Sequence, residues 1–224
     1  GMKRYAIIVA GGKGLRMGGE IPKQFLHLKG LPILMHTLNR FHRFDPEIEL
    51  VVVLPADQQP YWNELCKQHH FLTPHQIVTG GETRFHSVSN GLEAIGNDGI
   101  VAIHDGVRPL VSESVLQQAY ETAGQTGSAI PTTPAIESLR VLAPDGTSHA
   151  VDRSLYVQVQ TPQVFHTPKL KAAYRQPYRN DFTDDASVFE AAGNTVTLIP
   201  GNRENIKITQ PADLTLAELL IENA

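Results

Sequence analysis

The chain has 224 residues, 41% hydrophobic and 19% charged, with a formal net charge of −4. That composition suits a globular protein whose core needs no staples, and the missing basic excess excludes a broad nucleic-acid surface. The sequence shows no apolar run near the roughly 18 residues of a membrane span. The start, Gly1-Met2-Lys3-Arg4-Tyr5, lacks an apolar leader stretch, so a cytoplasmic location is expected. Cys66 is the single cysteine. It rules out an internal disulfide and a thiolate metal cluster, and within Trp62 to Lys67 it reads as a half-buried structural thiol.

In chain order, Tyr5 to Val9 is a short apolar run ending in glycines, which predicts a buried parallel strand. Pro32 opens a helix with Ile33, Leu34, Leu38 and Phe41 on one face. Leu50 to Leu54 is a second buried strand, followed by a helix from Pro60 to about His69. Ile77-Val78 is a short strand before Gly80-Gly81, and a helix runs from Thr83 to about Ile95. Ile100 to Ile103 is another buried strand, and Ser112 caps the helix after it. Pro134 to Gln160 reads as two extended stretches around the turn Pro144-Asp145-Gly146-Thr147, a projecting hairpin. Strands at Thr195 to Ile199 and Ile206 to Ile208 and a helix opened by Pro211 complete the chain. The alternation predicts an α/β fold with a doubly wound, mostly parallel sheet. Ligands then bind beyond the carboxyl ends of the strands, where Ala10 to Gly19, Gly80 to Glu82 and His104 to Pro109 lie.

Ala10-Gly11-Gly12-Lys13-Gly14-Leu15-Arg16-Met17-Gly18-Gly19 follows the first strand. Glycines let backbone N–H groups approach a phosphate. The P-loop pattern fails, because Gly12-Lys13-Gly14 lacks the Ser or Thr after lysine. The dinucleotide fingerprint fits at Gly12 and Gly14 but meets Met17 where a third glycine belongs, and Asp57 lies too far downstream. The loop is marked instead by its cations. Arg16 follows the glycines, and Lys23 sits behind Pro22, which fixes the backbone before it. Arginine and lysine are ordinarily solvated surface residues; their place beside a glycine loop at a strand end points to phosphate.

Ala10-Gly11-Gly12-x-Gly14-x-Arg16-Met17 and Pro22-Lys23-Gln24 resemble the signature of sugar-nucleotide transferases, with the spacing of the methylerythritol phosphate cytidylyltransferases. The resemblance runs from about Tyr5 to Leu214. It includes Gly80-Gly81-Glu82-x-Arg84-x-x-Ser87-Val88, His104-Asp105-x-x-Arg108-Pro109, Val151-Asp152-Arg153, Gln160-Thr161-Pro162-Gln163, Thr183-Asp184-Asp185-Ala186 and Asn205 to Thr209. It implies a Rossmann-like nucleotidyltransferase that transfers CMP from CTP to 2-C-methyl-D-erythritol 4-phosphate and releases pyrophosphate, in isoprenoid precursor synthesis. Both reactants are anions. Unit charges about 4 Å apart repel by roughly 1 kcal/mol in water and about 4 at an effective dielectric of 20. Catalysis is therefore expected to be positioning plus electrostatics, without a covalent enzyme intermediate.

The resemblance assigns Arg16 and Lys23 to the transferring and leaving phosphates, and Arg153 and Lys207 to the incoming one. Nucleotide contacts are implied at Ala10, Gly11, Gly12, Gly14, Gly81, Glu82, Ser87 and Asp105. Acceptor contacts are implied at Asp105, Arg108, Ser138, Arg153, Thr161, Thr183 and Lys207. Asp105 beside a triphosphate would repel it unless it meets sugar hydroxyls or Mg²⁺, so Asp105 is also the candidate metal ligand; its bland alternative is pairing with Arg108. His104 reads as a packed loop histidine. The hairpin 134–160 is expected, by the same resemblance, to reach a second subunit of a homodimer and to deliver Ser138 and Arg153 there. Two positions depart from many relatives: Glu82 stands for Asp, and Glu137-Ser138-Leu139-Arg140 stands for Asp-Thr-Ile/Met-Lys. The nearest alternative acceptor is ribitol 5-phosphate. An NAD(P)-dependent oxidoreductase and a noncatalytic nucleotide sensor are the alternatives from other classes.

Overall fold

The computed structural model describes residues 2–11 and 21–221. The elements in chain order are β1 (Arg4–Val9), β2 (His27–Leu28), β3 (Leu31–Pro32), α1 (Ile33–Phe44), β4 (Glu49–Leu54), α2 (Gln59–Gln68), β5 (Gln76–Thr79), α3 (Arg84–Glu93), β6 (Ile100–Asp105) and α4 (Glu113–Thr126). They continue with β7 (Ser128–Pro134), β8 (Arg140–Leu142), β9 (Ser148–Ala150), β10 (Val157–Val159), β11 (Gln163–His166), α5 (Thr167–Ala173), α6 (Asp185–Ala191), β12 (Leu198–Pro200) and α7 (Pro211–Ile221).

Among the described residues the main sheet has eight strands, in the order β10-β7-β11-β6-β1-β4-β5, with β12 added to β7. β5, β4, β1 and β6 are mutually parallel, whereas β11 joins β6 and β7 antiparallel. The parallel strands are apolar along both faces because helices cover both. Ala6 and Ile8 pack with Leu34, Leu38, Phe41, Trp62 and Leu116 on one side. Tyr5 and Ile7 pack with Val88, Leu92, Leu170 and Phe189 on the other. Trp62 is fully buried, and its indole N–H donates to His75 Nε2 at 3.0 Å, the partner a buried tryptophan needs.

The helices begin and end where local chemistry dictates. Ser112 accepts from Val115 N–H at the start of α4, and Gly127, at φ 100°, ends it in the left-handed region. Thr83 caps α3, so the helix expected from Thr83 to Ile95 runs from Arg84 to Glu93. Asp184 and Ser187 form a reciprocal capping box on α6.

Three expectations are corrected. The strand expected at Thr195 to Ile199 is realised as Leu198–Pro200, paired parallel with β7. Ile206 to Ile208 is not a strand: Ile208 N–H donates to Val107 O and Ile206 N–H to Glu204 O, so the segment is a strapped loop rather than a ladder. The hairpin 134–160 contains the short β8–β9 ribbon, but its return limb, β10, pairs with β7 in the main sheet.

Candidate active site

A cavity of about 260 Å³ opens beyond the carboxyl ends of β1, β5 and β6. Gly11, Lys23, Glu82, Arg84, Asp105 and Lys207 all reach its wall. Each arrives for a local reason. β1 ends at Val9, and Ala10 N–H still donates to Val53 O, so Gly11 is delivered to the rim. Gly11 adopts φ +86°, and a Cβ there would lie 2.6 Å from the Gln24 side-chain nitrogen. Both conditions call for glycine. Gly11→Ala is expected to cost about 1–3 kcal/mol of stability and to weaken ligand binding at this rim, read by denaturant unfolding and ligand titration. An alanine variant with unchanged stability and affinity would remove Gly11 from the site.

Pro22 leads into a 3₁₀ turn, Lys23–Phe25, that turns Lys23 inward until its residue is only 7% exposed. Burial lowers the Lys23 pKa, and Lys207 lowers it further against an opposing pull from Asp213. Two lysine ammonium groups thus repel one another across one cavity, an arrangement that an anion relieves. Lys207 is carried by the strapped loop. Asn205, fully buried, donates to Thr161 O at 2.8 Å, and its own carbonyl accepts from Arg108 Nη1 at 2.8 Å.

On the opposite wall, Ser87 Oγ accepts from Gly81 N–H at 3.1 Å and so holds the Gly80–Gly81 turn against α3. A Cβ on Gly81 would meet His86 Cβ at 2.5 Å. Glu82 lies exposed at the rim.

Asp105 ends β6 with its side chain 13% exposed and faces three cations. Arg108 Nε donates to Oδ2 at 3.1 Å, Lys207 Nζ lies 3.8 Å from Oδ2, and Arg84 Nη2 lies 3.9 Å from Oδ1. Burial alone would raise the carboxyl pKa; Arg84, Lys207, Arg108 and, least, His104 outweigh it and bring it down to about 2. Among the described residues no group of three or more His, Cys, Asp or Glu is able to hold a metal ion. Asp105 alone, ringed by cations, would need substrate phosphates and water to complete the coordination of a divalent ion. The protein by itself therefore builds no closed metal site around Asp105 among the described residues.

Thr161 and Arg108, expected as acceptor contacts, stand behind Asp105 and are not among the residues lining the cavity. Thr161 is buried; its Oγ1 accepts from Asp105 N–H at 3.0 Å and lies 2.9 Å from His104 Nδ1. Arg108 divides its guanidinium between Asp105 and Asn205 O, off the cavity wall. Both brace Asp105 from behind. His104, fully buried, sits with Nε2 2.9 Å from Arg108 O. Since that oxygen only accepts, Nε2 carries the proton and Nδ1 accepts from Thr161. Burial holds the His104 pKa down at about 4, below the roughly 6.5 of an unfolded histidine. The unfolded chain therefore binds more protons between those values. The stability contributed by neutral His104 is complete above pH 6.5 and is lost as pH falls toward 4, by about 3 kcal/mol. The stability gap between wild type and His104→Gln should narrow between pH 7 and pH 5 in equilibrium unfolding; a constant gap would contradict this.

Ser138 and Arg153 are exposed in the arm, and Arg153 donates to Ile136 O there; neither lines the cavity of its own chain. Thr183 is exposed just before α6, where its N–H donates to Ser187 Oγ, and it too lies off the wall. Arg16, Gly12 and Gly14 lie outside the described residues. Sequence reasoning missed Arg84 as a site residue: it was visible in the Gly80–Val88 block, but its partner is 101 positions away.

A doubly wound sheet whose strand ends present Lys23, Lys207, Asp105, Glu82 and a glycine turn to one cavity has the architecture of a nucleotide-binding transferase. The model of the 2-C-methyl-D-erythritol 4-phosphate cytidylyltransferase family matches residues 5–223. A protein of that name from Phocaeicola vulgatus is 54% identical over 220 residues, covering 98% of this chain and 100% of its own. One from Porphyromonas gingivalis is 55% identical, with 98% of each chain covered. Among solved structures, 4-diphosphocytidyl-2C-methyl-D-erythritol synthase from Anaerococcus prevotii superposes with a TM-score of 0.83 at 27% identity, covering 98% of this chain and 96% of its own. The Thermus thermophilus cytidylyltransferase gives 0.76 at 30% identity, covering 96% and 98%. The chain belongs to this cytidylyltransferase family and is an enzyme.

Proposed function

We propose that the cavity between the Gly81–Arg84 wall and Lys23 holds CTP, and that the chain transfers its cytidylyl group to 2-C-methyl-D-erythritol 4-phosphate. An acceptor phosphate oxygen attacks the α-phosphorus of CTP; that P–O bond forms as the bond to the leaving pyrophosphate breaks. Lys23 and Arg16 bind the transferring and leaving phosphates, and Lys207 receives the incoming one. Cytosine is read by Ala10, Gly11, Gly81, Glu82 and Ser87, where backbone donors and acceptors suit its N4 amino group and O2. Asp105 accepts substrate hydroxyls through Oδ1; its surrounding cations keep it ionised. The observation that carries this reading is the approach of Lys23, Lys207 and Asp105 to one cavity at the sheet's carboxyl edge.

The enzyme works as a homodimer in which the 134–160 arm crosses to the partner and brings Ser138 and Arg153 to its cavity. The arm leaves Ile136, Leu142 and Leu155 more than 60% exposed, an apolar surface of the kind that marks an interface. A divalent cation, Mg²⁺, arrives on the triphosphate, where it would neutralise charge. The reaction takes place in the cytoplasm; no helix among the described residues is long and apolar enough to cross a membrane. Pyrophosphate release should be followed with four nucleoside triphosphates and two acceptors. Turnover is expected with CTP and methylerythritol phosphate. Brisk use of ribitol 5-phosphate and none of methylerythritol phosphate would overturn the assignment.

A further inference from the structure

Arg84 is the cavity cation with the most specific geometry. Its Nη1 and Nη2 donate to Asp185 Oδ1 and Oδ2 at 3.0 and 2.9 Å. Asp185 is fully buried at the start of α6, and Tyr174 also donates to its Oδ1, at 2.5 Å. A buried carboxylate needs such partners. That need accounts for one N–H on each terminal nitrogen and leaves a second N–H on Nη2. Nη2 lies 3.9 Å from Asp105 Oδ1, and the Arg84 side chain, a third exposed, lines the cavity. Arg108 and Lys207 attend the other oxygen, Oδ2; among the described residues no hydrogen bond reaches Oδ1. Although burial would lower the Arg84 pKa, Asp185 and then Asp105 raise it above the ordinary arginine value.

The surroundings of Arg84 make it a rigid reference point. Phe85 stacks on Tyr174 with centroids 4.8 Å apart and on Phe182 at 5.7 Å. α3, the end of α5 and the residues leading into α6 are thereby joined around one guanidinium. We propose that Arg84 is a positioning residue for cytidylyl transfer: anchored on buried Asp185, it offers its remaining Nη2–H to Asp105 and aims Oδ1 at the substrate hydroxyls. This rests on the reading of Asp105 as the hydroxyl acceptor. Lysine cannot replace the fork, since an ammonium is a point charge without the planar geometry that faces two carboxylates.

The test uses the paired variant Arg84→Gln with Asp185→Asn, which leaves two neutral amides able to bond each other and no buried unpaired charge. Its kcat/KM is compared with wild type, with Asp105→Asn, and with the triple variant, after thermal unfolding shows each to be folded. The pair should unfold within a few degrees of wild type yet lose tenfold or more in kcat/KM. In the Asp105→Asn background the same pair should cost less than threefold, because the residue it aims is already disabled. Should the pair not fold, Arg84→Lys replaces it with the same expectations. A pair within threefold of wild type overturns the proposal, as does a full tenfold loss persisting without Asp105. If Asp105→Asn itself keeps wild-type activity, the reading of Asp105 falls first and the role of Arg84 falls with it. Such a result is separable from the others because it appears in that single variant.

Discussion

Lys23→Ala lowers turnover by about 100-fold or more while CTP binding changes far less, a loss of roughly 2.7 kcal/mol in the barrier. The expectation follows from how Lys23 is held. Lys23 is only 7% exposed as a residue and reaches the cavity wall, and burial and Lys207 both disfavour its charge. A site that tolerates this has a use for positive charge at that point. The charge on the leaving pyrophosphate grows as the bond to the α-phosphorus breaks, so a fixed cation there helps the transition state more than the ground state. Steady-state kinetics with a CTP titration separates the outcomes. A loss confined to CTP affinity would indicate a nucleotide sensor, and nearly intact turnover would remove Lys23 from the chemistry.

The second large effect concerns the arm. Arg153→Ala and Lys207→Ala should each be nearly inactive as pure proteins, yet mixing them after reversible dissociation should restore activity. If Arg153 serves the partner's cavity, a mixed dimer has one site with both substitutions and one with neither. With random reassortment about a quarter of all sites are then intact, so roughly that fraction of wild-type activity should return. No recovery from a mixture shown to contain mixed dimers would mean that both residues serve the same chain's site, or that Arg153 serves none. The exposure of Arg153 away from the cavity of its own chain is the reason to expect recovery.

How much of this was legible in the sequence depended on the range of the interaction. β1, β4 and β6 were readable because a strand buried on both faces is a bare apolar run. α1 and α4 were readable from periodicity and, for α4, from the Ser112 cap. β7 was not, because Ser128-Ala129-Ile130-Pro131-Thr132-Thr133-Pro134 carries two prolines and several hydroxyls; it is a strand because β10, β11 and β12 all pair with it. Ile206 to Ile208 failed in the opposite sense, being apolar enough for a strand while its hydrogen bonds go to a loop. In the site, Lys23 and Asp105 follow from short motifs, and Lys207 was placed by resemblance. Thr161 is picked out by the Gln160-Thr161-Pro162 motif, but nothing local to that motif shows that its hydroxyl lies between His104 and Asp105. The Arg84–Asp185 pair needed the whole fold, because aromatic stacking brings together segments about a hundred positions apart.

The loop that carries Lys207 works as a measured tether. Asn205 is bolted to Thr161 and Ile208 to Val107, so only two residues span the interval between bolts. An extended residue covers at most about 3.3–3.6 Å, so the interval confines Lys207 to a short reach. Removing one residue from that interval would drag the ammonium by a bond's reach or tear out a bolt, and adding one would let it swing. Changes of length should therefore be far less tolerated here than at Gly146, where an added Cβ meets nothing within 4 Å.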